Sequence, residues 1–313
     1  MLKEKITESA VYRRYLGTLK SNDTEEHIDL WFYRPVGFAW ACLAERLGIH
    51  PNAITIASIF LGLGAAFLFY FNNIWINIGG MVLLVWANSY DSADGQLARM
   101  TGQYSRLGRI LDGMAGDLWF IAIYTSICLR EVVTSEFFIE HNWVIWVVGA
   151  VAGFSHIQQA AMADHYRQLH LFFLKGAKGS ELEDSSDLER RYRAGKNAGN
   201  IFNRIVMWFY LGYTKRQERL TPSMEALRRR LRERYPDGNI PARVREEFRS
   251  GSLPLMKYTN ILSFNWRSIT LFVSLFVQMP WIYFVAEITV GNAILAYMMY
   301  RHERLCRRIA SMC

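Results

Sequence analysis

Apolar residues in this chain are gathered into long blocks, and the charges lie in blocks between them. A helix that crosses a bilayer needs roughly 20 mostly apolar residues. Asn52–Phe71 (NAITIASIFLGLGAAFLFYF) and Ile74–Tyr90 (IWINIGGMVLLVWANSY) meet that measure. A third block covers Leu111–Leu129, with Asp112 and Asp117 in its first turns, and a fourth covers Trp143–Met162. After a long polar stretch the pattern resumes over Ile269–Phe284 and Val285–Tyr300, where the Met279-Pro280 step and Gly291 leave the inner boundary open. The pattern predicts an all-α membrane protein with six transmembrane helices. Leu30–Leu47 is mixed apolar and basic, too charged to cross, and reads as an N-terminal interfacial helix in the headgroup layer. An amphipathic helix packed on protein is the alternative.

The charges between the blocks orient them. The links at Phe71–Asn73 and Arg130–Asn142 hold one Arg, whereas the segment Arg99–Arg109, the stretch Arg167–Lys257 and the tail RHERLCRRIA are basic. The stretch 167–257 alone has about twenty Lys and Arg. Positive residues stay inside, so both termini, the Asp-rich loop and the basic insert are expected in the cytoplasm of an inner or plasma membrane. Four regions follow: a cytoplasmic arm and interfacial helix (1–50), helices 1–4 (51–166), the insert (167–257), and helices 5–6 with the tail (258–313).

Within the insert, EDSSD and RRYRAGK precede an apolar patch, Ile205–Tyr213, too short to cross and expected to re-enter or lie on the surface. The run MEALRRRLRERY reads as a helix with Glu225 facing Arg229 at i,i+4. The net charge of +8 could suggest nucleic acid in a soluble protein; among lipid-crossing blocks it points to anionic lipid, and no nucleic acid partner is expected. Cys42, Cys128, Cys306 and Cys313 fit no zinc or CxxC spacing and read as unpaired thiols. The first residues are charged throughout, without an apolar core, so no cleaved signal peptide is expected.

Charged side chains at membrane depth need a partner or a task. Asp91, Asp94, Asp112 and Asp117 sit at the ends of two adjacent blocks. Asp91 and Asp94, at i,i+3, share a helix face, and the short link Met100–Leu107 makes the two helices antiparallel neighbours. The carboxylates then converge, and a hard divalent cation, Mg²⁺ or Mn²⁺, relieves their repulsion and bridges to phosphates. Gly95 and Gly108 leave room for a pyrophosphate to approach the backbone, and Arg99 supplies a fork for a phosphate oxygen. Helix capping accounts at best for Asp112, because Asp91 and Asp94 lie at a C-terminal end, where the dipole disfavours them.

The run Asp91-x-x-Asp94-Gly95-x-x-Ala98-Arg99, eight residues, Gly108-x-x-x-Asp112 resembles the signature of the CDP-alcohol phosphotransferase family. Pro51-Asn52-Ala-Ile-Thr55 is similar to that family's PNxxT entry to its first span. The resemblance covers neither 1–29 nor the insert. It implies a metal-dependent transferase in which an alcohol hydroxyl attacks a CDP-linked donor and CMP leaves. It further implies that Asp91, Asp94, Asp112 and Asp117 hold the metal, and that Gly95, Ala98, Arg99 and Gly108 meet the nucleotide. One position departs: the family's last Asp falls on Gly116, and the carboxylate is Asp117. Asp117 is nonetheless expected to be the catalytic base, brought back by a distorted turn beside Gly113 and Gly116.

Two donor directions are open: CDP-diacylglycerol with a soluble alcohol, or a CDP-headgroup of ethanolamine or choline type with a lipid alcohol. Ser155-His156-Ile-Gln158, Tyr258-Thr259 and Arg267 with Leu271-Phe272 are loosely similar to segments of phosphatidylinositol synthases. The resemblance implies inositol or inositol phosphate as acceptor, with Ser155, His156, Arg167 and Arg267 binding it. The expected partners are donor, acceptor, bilayer and a second copy of the chain in a homodimer. A decayed member acting as a lipid-binding scaffold is the rival reading, favoured by Gly116.

Overall fold

The computed structural model describes residues 10–19, 21, 23–176, 184–194 and 201–312. Residues 1–9 of the arm, residues 177–183 and 195–200, which hold parts of the EDSSD and RRYRAGK segments, and Cys313 lie outside the described residues. Every regular element among those described is helical. Three helical stretches are long and apolar enough to cross a membrane: Pro51–Phe69, Asn142–Lys175 and Trp281–Met312. The chain divides into two compact units, Met1–Ser155 with Arg267–Ile288, and His156–Trp266 with Thr289–Cys313.

The first unit begins with α1 (Ala10–Leu16) and a π turn (Asp29–Tyr33) that runs into α2 (Arg34–Arg46). Gly37, Ala41 and Ala44 form the buried face of α2, while Leu43 and Leu47 are exposed. Next come α3 (Pro51–Phe69), α4 (Ile74–Thr101), α5 (Arg106–Thr134), the short α6 (Glu136–Glu140) and the start of α7 (Asn142–Lys175). Local chemistry fixes the helix ends. The His50 side chain accepts the Asn52 N–H, with Pro51 pre-set in the first turn of α3. Asn73 accepts from Trp75 and Ile76 to start α4, and Gly102, at φ 69°, ends it in the left-handed region.

Small residues let these helices approach closely, as lipid-embedded packing requires. A Cβ on Gly62 of α3 would lie 2.1 Å from Trp119 Cδ1 of α5, and one on Gly80 of α4 would lie 2.6 Å from Phe69 Cε1 of α3. Arg130, expected in a loop, is instead buried in the last turns of α5. Its guanidinium donates to Asn77 Oδ1 at 3.0 Å, Asn72 Oδ1 at 2.8 Å and Gln278 Oε1 at 2.9 Å. One cation thus ties the α3–α4 link to Gln278, which stands at φ 56°.

The helices differ from the expected blocks in three ways. First, α4 does not stop at Tyr90 but runs to Thr101, and α5 starts at Arg106, so both halves of the acidic motif are helical. Polar residues at Asn77, Arg130 and the acidic motif lower the apolar content of α4 and α5, and neither reaches the measure of a spanning helix. Second, the last pair divides at residues 277–280, between α13 (Phe264–Phe276) and α14 (Trp281–Ala286), rather than at Phe284; Pro280 and Gln278 make the turn. From Trp281 the chain stays helical through a π turn (Glu287–Gly291) into α15 (Asn292–Met312). Third, residues 167–175 continue α7 rather than starting a new element.

The second unit holds α8 (Ser185–Arg193), α9 (Ile201–Leu220), α10 (Pro222–Arg234), α11 (Ala242–Ser252) and α12 (Met256–Ile261), with the latter part of α7 and with α15. The Ile205–Tyr213 patch is the middle of α9, one continuous helix. Leu227 and Leu231 of α10 join Tyr166, Phe173, Phe248, Cys306 and Ile309 in one apolar cluster. Phe173 stacks on Phe248 with centroids 3.9 Å apart, and Tyr166 on His302 at 4.0 Å. Glu225 pairs with Arg228 at 2.8 Å, i,i+3, rather than with Arg229. Cys42, Cys128 and Cys306 are unpaired.

Candidate active site

The acidic motif forms where α4 ends and α5 begins. Ser105 caps α5 by accepting the Gly108 N–H at 2.8 Å, and its own hydroxyl donates to Asn52 Oδ1 at 3.0 Å. The first turn of α5 is therefore fastened to the first turn of α3. A Cβ on Gly108 would lie 2.5 Å from Asn52 Oδ1, so this glycine serves the helix junction. Asp91, Asp94 and Asp112 each present a carboxylate oxygen within 4.8 Å of the others. Asp94 is buried and accepts a short hydrogen bond from the Thr55 hydroxyl, whereas Asp112 is exposed. Thr55 thereby gives the PNxxT segment a contact in the site: it aims one of the three converging carboxylates.

Three carboxylates at this separation, one of them buried, are a donor set suited to a hard divalent ion, since without one they repel. Gly95 faces Arg99: a Cβ there would lie 3.3 Å from Arg99 Nη1. The guanidinium folds back over the glycine, with Nε donating to the Thr18 carbonyl at 2.6 Å and Nη2 buried without a hydrogen-bond partner. Ala98 follows on the same helix.

Asp117 lies outside the three-carboxylate group. The expected distorted turn is absent, for α5 is regular α-helix across Gly113 and Gly116. At about 100° per residue, Asp117 points about 140° round the axis from Asp112. On that side it is exposed and within electrostatic reach of Arg267. Arg267 is buried and pairs with Glu287 at 3.3 Å, and Glu287 also accepts from the Tyr283 hydroxyl at 3.0 Å.

The four expected acceptor residues divide. Ser155, buried, and Arg267 belong to the first unit, and buried His156 and Arg167 to the second. Arg167 Nη2 donates to Asn260 Oδ1 at 3.4 Å, and its buried Nε has no hydrogen-bond partner. A second acidic group, Asp184, Glu218 and Glu225, also lies within 4.8 Å. Its carboxylates are taken up by Ser185, Ser186, Arg228 and Arg232, so it fastens α8 to α9 and α10.

Sequence reasoning missed Thr18, Arg34, Ser92 and Gln96. The Gln96 amide donates to Thr18 Oγ1 at 3.0 Å and to the Arg34 carbonyl at 3.2 Å, and Arg34 Nη1 donates to Ser92 Oγ at 3.2 Å. The available signal was position: Ser92, Gln96 and Arg99 lie on one stripe of α4 at helical spacing.

The family model of CDP-alcohol phosphatidyltransferase matches residues 48–169. The chain is 38% identical over 87 residues to the archaetidylinositol phosphate synthase of Pyrococcus horikoshii, a match that covers 28% of this chain and 45% of that protein. The chain thus spans about half the length of this curated relative. The matched residues carry the three converging carboxylates, Thr55 and Arg99. Over residues 48–169 the chain is similar to the CDP-alcohol phosphatidyltransferase family.

Proposed function

We propose that the chain transfers the phosphatidyl group of CDP-diacylglycerol to a hydroxyl of inositol phosphate or inositol, releasing CMP. The observation that carries this reading is the convergence of Asp91, Asp94 and Asp112 within 4.8 Å at the α4–α5 junction. These residues would hold Mg²⁺ or Mn²⁺. A divalent ion there supplies positive charge against the donor's pyrophosphate oxygens. Thr55 holds Asp94 in place, and Arg99 offers its free edge to a phosphate oxygen.

The transfer forms a bond between the acceptor oxygen and the phosphatidyl phosphorus and breaks the bond from that phosphorus to the bridging oxygen, which leaves with CMP. Asp117 takes the proton of the attacking hydroxyl on a carboxylate oxygen. Its one-residue offset turns it toward Arg267, a cation suited to a phosphate on the acceptor. The name of the Pyrococcus relative supports an inositol phosphate acceptor. Ser155, in the same unit as Arg267, is the further acceptor residue in this reading, while His156 and Arg167 belong to the second unit.

The same reading has six crossings, counting α4 and α5 as lined by polar site residues, with the site and both termini on the cytoplasmic face of an inner or plasma membrane and α2 in the headgroup layer. The excess of Lys and Arg in the insert and tail supports that orientation. The test is CMP release by the purified full chain with CDP-diacylglycerol and a panel of inositol, inositol phosphate, glycerol phosphate and serine. Release is expected with inositol phosphate or inositol. Release only from CDP-ethanolamine or CDP-choline with diacylglycerol would reverse the donor assignment, and no release from any pair would leave a lipid-binding scaffold.

A further inference from the structure

The segment before the matched domain reaches into the donor side of the site. Arg99 is the arginine among the motif's fixed residues, and its direction is set from outside residues 48–169: its Nε donates to the carbonyl of Thr18 at 2.6 Å, across a separation of 81 residues. That carbonyl is held where it is by a short chain of hydrogen bonds. The Thr18 hydroxyl donates to the Tyr15 carbonyl at 2.6 Å and accepts from Gln96 Nε2 at 3.0 Å. Gln96 also donates to the Arg34 carbonyl, Arg34 Nη1 donates to Ser92 Oγ, and Arg34 Nε pairs with Glu25 at 2.9 Å with both side chains largely buried. Gly37 of α2 closes the junction, for a Cβ there would lie 2.6 Å from Gln96 Oε1 and 2.9 Å from Ser92 Oγ.

The arrangement leaves Arg99 half satisfied. One side of the guanidinium is occupied by Thr18, and the opposite edge lies over Gly95 with Nη2 buried and unpartnered. A buried guanidinium N–H without an acceptor is costly, and a planar fork is matched by two oxygens of a phosphate. The Thr18 contact orients that fork, since an arginine left to choose its rotamer would spread over several directions.

We infer that Thr18 and Arg34 are positioning residues for the nucleotide-diphosphate donor, acting through Arg99. Neither residue touches the reacting atoms. The inference rests on the donor being a CDP-linked lipid, and its test reads binding as well as turnover. Calorimetric titration of the purified full chain with CDP and Mg²⁺ is compared for wild type, Thr18→Val, Thr18→Ser, Arg34→Gln, Arg99→Gln and Thr18→Val/Arg99→Gln. Valine keeps the shape of Thr18 and removes the hydroxyl.

Thr18→Val, which keeps the carbonyl but removes the hydroxyl bonds that hold it in place, is expected to weaken CDP binding about tenfold. Thr18→Ser should restore it, and Arg34→Gln should weaken it similarly. The double variant should bind CDP no more weakly than Arg99→Gln alone, because both act on one group. In turnover, Thr18→Val should raise KM for CDP-diacylglycerol while KM for the alcohol stays put, a split that a general loss of stability would not give. Wild-type CDP affinity in both Thr18→Val and Arg34→Gln, or losses that multiply in the double variant, would overturn the inference. Absence of CDP binding by the wild type would contradict the donor reading itself, a result distinct from either.

Discussion

At the residue scale, the three converging carboxylates and Asp117, the proposed proton acceptor, are separate groups. Asp91, Asp94 and Asp112 crowd within 4.8 Å, while Asp117 faces Arg267. Asp117→Asn is therefore expected to lower kcat by about 10²–10⁴-fold while CDP affinity stays near wild type. His156→Ala, a change at a buried position of the second unit, should mainly raise KM for the acceptor. Steady-state kinetics with varied acceptor check both, and a normal kcat in Asp117→Asn with its loss in His156→Ala would reverse the two roles.

The carboxylates were legible in the sequence because i,i+3 spacing and a short link fix their geometry before any tertiary fact is known. The partners of Arg99 were not. Thr18 offers a backbone carbonyl, which any residue carries, from 81 positions away. The distorted turn expected at Gly113 and Gly116 fails for a related reason. Glycine permits a bulge without requiring one, and the regular i→i−4 ladder of α5 holds across both.

At the scale of elements, the apolar blocks located the helices and misplaced their ends. α4 extends past Tyr90 because a chain leaving an apolar block need not leave the helix, and Gly102 supplies the stop. The basic insert, read from composition as lipid-facing, has an apolar side that the count of Lys and Arg hid: Met224, Leu227 and Leu231 of α10 are buried. Its polar side is organised around Asp184, which caps α8 through the Ser186 N–H and pairs with Arg232.

Partial burial pushes the Asp184 carboxyl up, but the bonds from Ser186 and Arg232 outweigh it and hold it down at about 2. A folded-state value below the unfolded one gives stability that is full above the ordinary carboxylate range and is lost as pH falls toward 2. Asp184→Asn keeps an oxygen that caps α8 and removes the charge that pairs with Arg232, so it is expected to cost up to about 1 kcal/mol, the range of a partly exposed ion pair. The Tm difference from wild type in detergent should be present at neutral pH and vanish as the pH approaches 2. An undiminished difference at that acidity would place the effect elsewhere.

At the scale of the whole molecule, residues 48–169 are similar to the family model and the segments on either side of them are not matched by it. The arm before the domain touches its motif helix through Thr18 and Arg34. The second unit, with its own apolar core, draws residues from the end of the matched range and from beyond it. Membrane character was legible from the blocks. The six crossings expected from the blocks are not reached, since three helical stretches are long and apolar enough to cross and the polar groups along α4 and α5 lower their apolar content.

Everything in the account turns on the acidic group at the α4–α5 junction acting through a divalent ion. The most direct test is CMP release from CDP-diacylglycerol and inositol phosphate by protein stripped with EDTA, before and after Mg²⁺ or Mn²⁺ is restored, in wild type and Asp112→Asn. Stripping should abolish release, the ion should restore it in wild type, and Asp112→Asn should stay nearly inactive at any metal concentration. Full activity of the stripped wild type, or wild-type release by Asp112→Asn, would contradict the account.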